Sequence, residues 1–229
     1  MKITAFLPCR AGSERVPKKN TRTFAGIEGG LLKIKLQQLI DCEAINSIVL
    51  STNDDEVIDI AKAMENPKVT IDRRPEHLAT SATSTDDLVK YVPTLVSEGA
   101  VLWTHVTSPF IDAEVYGKAI ETYKEKYNSR ENDSLMSVMA LRTFIWDKNG
   151  ALNYDRKKEK WPRTQTLEPL YEIDSGIFIA GVDIYNKLQD RIGEKPYLFE
   201  NNEIDAFDID WEDDFFIAEA IYLNLKNKR

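Results

Sequence analysis

Residues Lys2–Asn20 read KITAFLPCRAGSERVPKKN, and their reading decides the fold. Lys2–Cys9 is a compact run of apolar and β-forming residues without polar alternation, the pattern of a strand buried on both faces of a parallel sheet. A loop with Gly12, Ser13 and Pro17 follows at once. Between Arg10 and Arg22 it sets Arg10, Arg15, Lys18, Lys19 and Arg22 against Glu14 alone, +5 − 1 = +4, inside a chain of net charge −8. Small residues let backbone N–H groups approach an anion, and the cations neutralise it. Such a loop suits a triphosphate, and it starts where open α/β sheets bind ligands, beyond the carboxyl end of a strand. On these residues alone a solvated basic surface is the alternative. The spacings GxxxxGK[ST] and GxGxxG are absent, which sets aside a P-loop NTPase and a dinucleotide-binding dehydrogenase.

Outward from this stretch, similar apolar runs recur at Ser47–Ser51, Lys68–Asp72, Ala100–Val106, Leu135–Leu141 and Ile173–Gly181. Between them lie helical patterns. Asn53 is placed to cap a helix with Asp54, Asp55 and Glu56 in its first turn and Val57, Ile60, Ala61 and Met64 on one stripe. Asp112 opens another, with Tyr116, Ala119, Ile120, Tyr123 and Tyr127 on a face, and a last helix after Asp210 carries Trp211, Phe215, Ala218, Tyr222 and Leu225. This alternation predicts an α/β fold, a doubly wound and mostly parallel sheet in one domain spanning residues 1–229. About residues 142–172 the pattern breaks into a Lys-, Asp-, Asn- and Gly-rich insertion, read as an arm.

The composition narrows the partners. An acidic chain is not expected to bind nucleic acid or an anionic membrane surface. No apolar run reaches the roughly 20 residues that cross a bilayer, and the start MKITAFLPCRAG is too short for a signal peptide, so a cytoplasmic protein is expected. The two cysteines, Cys9 and Cys42, form no zinc motif and read as buried thiols.

A second functional signal is AFDIDWEDD, Ala206–Asp214. In extended chain, residues two apart share a face, so Asp208 and Asp210 present two carboxylates together with Ile209 turned inward. Two hard oxygen ligands invite Mg²⁺, which keeps several waters and binds through one or two carboxylates plus substrate phosphates. A helix N-cap at Asp210 is the structural alternative. Glu212, Asp213 and Asp214 are expected in the first helical turn, where negative charge meets the dipole.

LPCRAGSERVPKKN, Leu7–Asn20, resembles the signature of the acylneuraminate cytidylyltransferases, roughly [IL]-P-[AC]-R-x-[GN]-S-[KE]-x-[ILV]-P-x-K-N, the enzymes that make CMP-sialic acid and related CMP-nonulosonic acids. Glu14 stands where many members carry Lys. The resemblance implies a Rossmann-like nucleotidyltransferase fold with a small dimerisation arm. It implies CTP contacts from Arg10, Ala11, Gly12, Ser13, Arg15, Lys19 and Asn20, with Lys19 and Arg10 catalytic beside Asp208 and Asp210, the latter pair matching the family's metal-binding DID.

RRPEHLA, Arg73–Ala79, is similar to the family's RPxxLA and implies that Arg74 lies near the nucleotide. In TSATST, Thr80–Thr85, Ser81 replaces the family's Asp, and base or ribose contacts are expected near Ser81, Ser84 and Thr85. HVTSPF is similar to QPTSPL, with His105 in place of Gln, so His105, Thr107 and Ser108 are expected at the acceptor. PRTQTLEPLYEIDSG resembles the arm segment that dimerises and lines the sugar pocket, which implicates Arg163, Gln165, Tyr171 and Glu172. The implied function is transfer of CMP from CTP to an acidic 2-keto-3-deoxy sugar by a Mg²⁺-dependent, cytoplasmic homodimer. A nucleotidyltransferase with another acceptor and a catalytically silent nucleotide-binding protein are the alternatives.

Overall fold

A computed structural model describes residues 1–228. β1 (Ile3–Pro8) is flanked by β2 (Ser47–Thr52) on one side and β4 (Ala100–Trp103) on the other, both parallel to it, and β3 (Val69–Arg73) extends the sheet beyond β2. β8 (Leu170–Gly181) then runs antiparallel between β4 and β5 (Ser134–Leu141), and β9 (Pro196–Glu200) closes the far edge parallel to β5. The seven-stranded order is β3-β2-β1-β4-β8-β5-β9, mostly parallel, as the alternation predicts. Strand β9 lies in the polar-flanked PYLFE, a run that the sequence reading did not single out.

Period-2 alternation divides the core between two faces. Ile3, Ala5, Leu7, Leu102, Ile177 and Ile179 pack beneath α1 (Gly30–Asp41), α2 (Asp55–Ala63), α4 (Ala113–Asn128) and α6 (Glu212–Lys228). Phe6, Val101, Trp103, Phe178 and Ala180 face α3 (Thr85–Leu95) and α5 (Val182–Leu188). Each fully buried aliphatic or aromatic side chain contributes about 1.5–3 kcal/mol, so both faces are held by many such groups.

Local chemistry sets the helix ends. Asp112 caps α4 by accepting from the N–H groups of Glu114 and Val115. For α2 the expected cap is displaced by one residue: Asp54, not Asn53, accepts from Glu56 N, while Asn53 Oδ1 accepts from Ala11 N of the basic loop. At α6, Asp214 Oδ2 accepts from the N–H groups of Asp210 and Trp211, so the capping oxygen comes from the first turn and Asp210 is left to the cleft. Trp211 and Leu225, expected on the apolar stripe, are exposed, whereas Phe215 and Ala218 are buried.

The segment after β5 carries a small hairpin of β6 (Trp146–Asp147) and β7 (Gly150–Ala151) and a 3-10 turn at Thr164–Thr166. Leu170, Tyr171 and Glu172 are already sheet, paired with Leu141, Ala140 and Met139. No helix of the described residues is long and apolar enough to cross a membrane.

Candidate active site

The basic loop is bound to the opposite end of the chain. Arg22 Nη1 donates to Glu212 Oε1 at 2.8 Å, with its guanidinium 3.8 Å above the Phe215 ring, and Ala25 N donates to Glu219 Oε1 at 2.7 Å. Leu32 N, in the first turn of α1, donates to Asn20 O at 2.9 Å. Gly30 makes that approach possible: its φ is +49°, and a Cβ there would collide with the Arg22 carbonyl oxygen. Acids of α6 and the start of α1 together dock the loop beside β1.

This docking creates the central contact. Lys19 Nζ donates to Ile209 O at 2.7 Å and lies 4.0 Å from Asp210 Oδ1, while Arg15 Nη2 donates to the same oxygen at 2.9 Å. Ile209 N in turn donates to Thr107 O at 2.9 Å. The two backbone groups of one buried residue thus tie the loop after β1, the segment after β4 and the entry to α6 into one wall. Asp208 and Asp210 both line the cleft, with Ile209 fully buried between them.

The cleft encloses about 650 Å³. Of the residues singled out from sequence, Arg10, Ser13, Arg15, Lys19, Asn20, Thr85, His105, Thr107, Asp208 and Asp210 line it. Ser81, the replacement for the family's acid, lines it too. Ala11 and Gly12 belong to the same loop without lining the cleft, and their carbonyl oxygens accept from Arg10 Nη1. Arg74 is buried beneath, its guanidinium committed to Ser51 Oγ and Ser51 O at 3.0 and 2.5 Å. Ser84 forms a capping box with Asp87 at the start of α3. Ser108 is buried behind the wall. Arg163, Gln165, Tyr171 and Glu172 are exposed and do not line this chain's cleft.

The lining also takes in Glu14 of the signature loop, Ser175 of the Asp174-Ser175-Gly176 turn, and Arg191, which no sequence motif singled out. Ser175 reaches it because β8 bulges against β5: between the Met136–Phe178 and Val138–Ile173 pairs, β5 advances two residues while β8 spends five. Buried Asp174 holds the bulge, hydrogen-bonded to Ser137 Oγ and accepting from Gly176 N at 2.9 Å and Asn201 Nδ2 at 2.7 Å. Gly176 leaves no room for a side chain, since a Cβ there would strike Ile111, and Ser175 sits at φ +59°, a left-handed conformation typical of special sites. The bulge depends on groups some forty residues apart, so no local motif announces it.

The electrostatics are those of an anion-handling cleft with a cation-seeking corner. Burial depresses the Lys19 ammonium below its ordinary range, and Asp208 and Asp210 oppose that shift. Burial raises the Asp208 carboxyl, and the neighbouring Asp210 charge adds to it, while hydrogen bonding to Thr107 and the Lys19 charge pull it down. Asp208 Oδ1 is buried with no hydrogen-bond partner, the condition of an oxygen suited to a cation. Among the described residues no three His, Cys, Asp or Glu side chains gather into a protein-only metal cage. Two carboxylates, one of them with an orphaned oxygen, fit Mg²⁺, whose other ligands are ordinarily waters and phosphates. Cys9 lines the cleft but burial pushes its thiol up to about 12, so it stays protonated and is no nucleophile.

Just beyond β4, Trp103 Nε1 donates to His105 Nε2 at 3.0 Å. An indole N–H can only donate, so Nε2 accepts and Nδ1 carries the imidazole proton. Burial, with the charges of Arg191, Lys19 and Lys35, lowers His105 to about 3 and keeps it neutral.

Comparison with known proteins agrees with this geometry. Residues 4–227 match the family model described as cytidylyltransferase. The chain is 29% identical over 228 residues to the CMP-N,N'-diacetyllegionaminic acid synthase of Legionella pneumophila, covering 96% of each chain. It is 24% identical over 193 residues to the pseudaminic acid cytidylyltransferase of Campylobacter jejuni, covering 79% of this chain and 78% of that protein. Its fold is similar to a solved CMP:2-keto-3-deoxy-manno-octonic acid synthetase complexed with CTP, with a TM-score of 0.68 at 13% identity over 98% of this chain and 100% of that one. With the nucleotidyltransferase fold, the signature loop and the twin aspartates in one cleft, the chain belongs to the cytidylyltransferase family and is a nucleotidyltransferase.

Proposed function

We propose that the chain transfers CMP from CTP to an acidic 2-keto-3-deoxy sugar of the nonulosonic class, with Mg²⁺ held by Asp208 and Asp210. The observation that carries this reading is the convergence of the cationic loop and the twin aspartates around Ile209. The names of the two curated relatives support the acceptor class. The anomeric hydroxyl attacks the α-phosphorus in line, the bond to the bridging oxygen breaks, pyrophosphate leaves, and the hydroxyl proton passes to solvent. Mg²⁺, when bound, offsets charge on the phosphoryl oxygens and orients the triphosphate.

The chain's own groups supply the rest. Arg10, Ser13, Arg15 and Asn20 cradle the phosphates, and Lys19, held in place by Ile209 O, faces the charge that grows on them. Positioning and electrostatics account for most of the acceleration in such transfers, and no protein nucleophile is needed. Thr85 and Ser81 border the nucleotide, and His105 and Thr107 border the acceptor. The exposed Trp146, Trp161, Tyr171 and Ile173 on the arm and its root support a homodimer in which Arg163, Gln165, Tyr171 and Glu172 serve the acceptor pocket or the interface.

The test is pyrophosphate release with each NTP, with and without Mg²⁺, against N-acetylneuraminic, legionaminic and pseudaminic acids. Release with CTP, Mg²⁺ and at least one of these acids is the expected result. Tight CTP binding without release for any acid would instead identify a silent nucleotide-binding protein.

A further inference from the structure

Arg191 belongs to none of the motifs read from the sequence. It stands on the loop after α5, where Gln189 at φ +53° turns the chain back toward the sheet. The guanidinium lies 3.7 Å from the Phe178 ring centroid and 5.0 Å from that of Trp103, two neighbouring side chains on the α3/α5 face of β8 and β4. Stacked on both rings, it is fixed in orientation. Its Nη1 is buried and has no hydrogen-bond partner. Arg191 forms no ion pair with a described residue, although Asp190 adjoins it in sequence, and it lines the same cleft as Lys19 and Asp208.

An oriented guanidinium with an unsatisfied N–H is costly to bury unless a ligand completes it. The cationic loop lies at the wall after β1, where the triphosphate is placed. Arg191 instead adjoins Trp103, whose indole holds His105 with Nδ1–H as its remaining donor. Two fixed donors seated over β4 and β8, one and two strands along the sheet from the β1 that carries the phosphate loop, match a second anion, and the planar fork suits the two oxygens of a carboxylate.

We propose that Arg191 is the receptor for the acceptor's carboxylate, with His105 Nδ1–H as an accessory donor. The proposal rests on the acidic-sugar reading above. It assigns acceptor recognition to a residue of the chain's own cleft, in contrast to the exposed Arg163 of the arm. Chemically, an acid would be selected over its ester or amide because the guanidinium's N–H donors meet two carboxylate oxygens.

The test compares wild type, Arg191→Met and Arg191→Lys in steady-state kinetics with the sugar acids named above and with their methyl esters. Methionine keeps apolar cover over Trp103 and Phe178, and lysine keeps the charge without the fork. The expected result is a rise of about 30-fold or more in acceptor KM for Arg191→Met, with the CTP KM unchanged as the check on folding. Esterifying the acceptor should penalise wild type strongly and both variants much less, a signature that a purely structural role for Arg191 would not produce. An unchanged acceptor KM, an equal rise in the CTP KM, or the same ester penalty in wild type and variants overturns the assignment while leaving the cytidylyltransferase reading intact.

If wild type turns over none of the acids, that reading fails, and calorimetry of the acids with the CTP-bound protein decides the rest. Binding lost in Arg191→Met sustains the receptor assignment, and no binding by wild type overturns it.

Discussion

His105 offers a prediction that rests on its burial among cationic side chains. The chain has two histidines, and the other, His77, is exposed. His105 has its folded pKa lowered from 6.5 to about 3, chiefly by burial and then by Arg191, Lys19 and Lys35. Above pH 6.5 neither the folded nor the unfolded chain protonates it, so it contributes no pH dependence there. Below 6.5 the unfolded chain takes up a proton that the folded chain refuses, and stability falls as pH drops from 6.5 toward 3.

At pH 5 the gap of about 1.5 units corresponds to about 2 kcal/mol at roughly 1.4 kcal/mol per unit. His105 borders an open cleft, and solvent screening reduces this to about 1 kcal/mol. With about 2.1 cal/mol/K of unfolding entropy per residue, 1 kcal/mol in a chain of this length is about 2 °C in Tm. The variant is His105→Gln, whose amide oxygen can still accept from Trp103 Nε1. Urea or thermal unfolding of both proteins at pH 7 and pH 5 should show the variant losing about 1–2 kcal/mol less than wild type on acidification. Equal losses in the two proteins would refute the account of a neutral, buried imidazole among cations.

Asp208→Asn should lower turnover by about 100-fold or more, yet leave stability unchanged or slightly higher, because the raised carboxyl is destabilising when charged; unfolding curves beside pyrophosphate assays separate the two effects. Asp210→Asn should act similarly on rate with little stability cost, since its pair with Arg15 is half exposed, and a fully active variant would contradict the metal assignment. Lys19→Met should reduce kcat by about 100- to 1000-fold while circular dichroism stays native, whereas a change confined to KM would demote Lys19 to ground-state binding. Asp174→Ala should cost about 2–4 kcal/mol in urea unfolding, because Ser137, Asn201 and the Gly176 N–H all lose their buried acceptor.

The sequence by itself determined the fold class and much of the anion-binding wall. Apolar runs of strand length, the acids at helix starts and the charge reversal between Arg10 and Arg22 are local patterns that the chain must satisfy wherever it folds. The twin aspartates were legible for the same reason, as the two-residue period of extended chain puts Asp208 and Asp210 on one side of Ile209. Tertiary structure alone decided which of these groups meet. The contact of Lys19 with Ile209 spans 190 residues, and the Asp174 bulge that presents Ser175 depends on Ser137 and Asn201. Arg191 acquires its environment only when β4 and β8 bring Trp103 beside Phe178. Periodicity and spacing report what neighbours in sequence can share, whereas a cleft is made of side chains brought together by strand order, and that order emerges only when both faces of the sheet are buried at once.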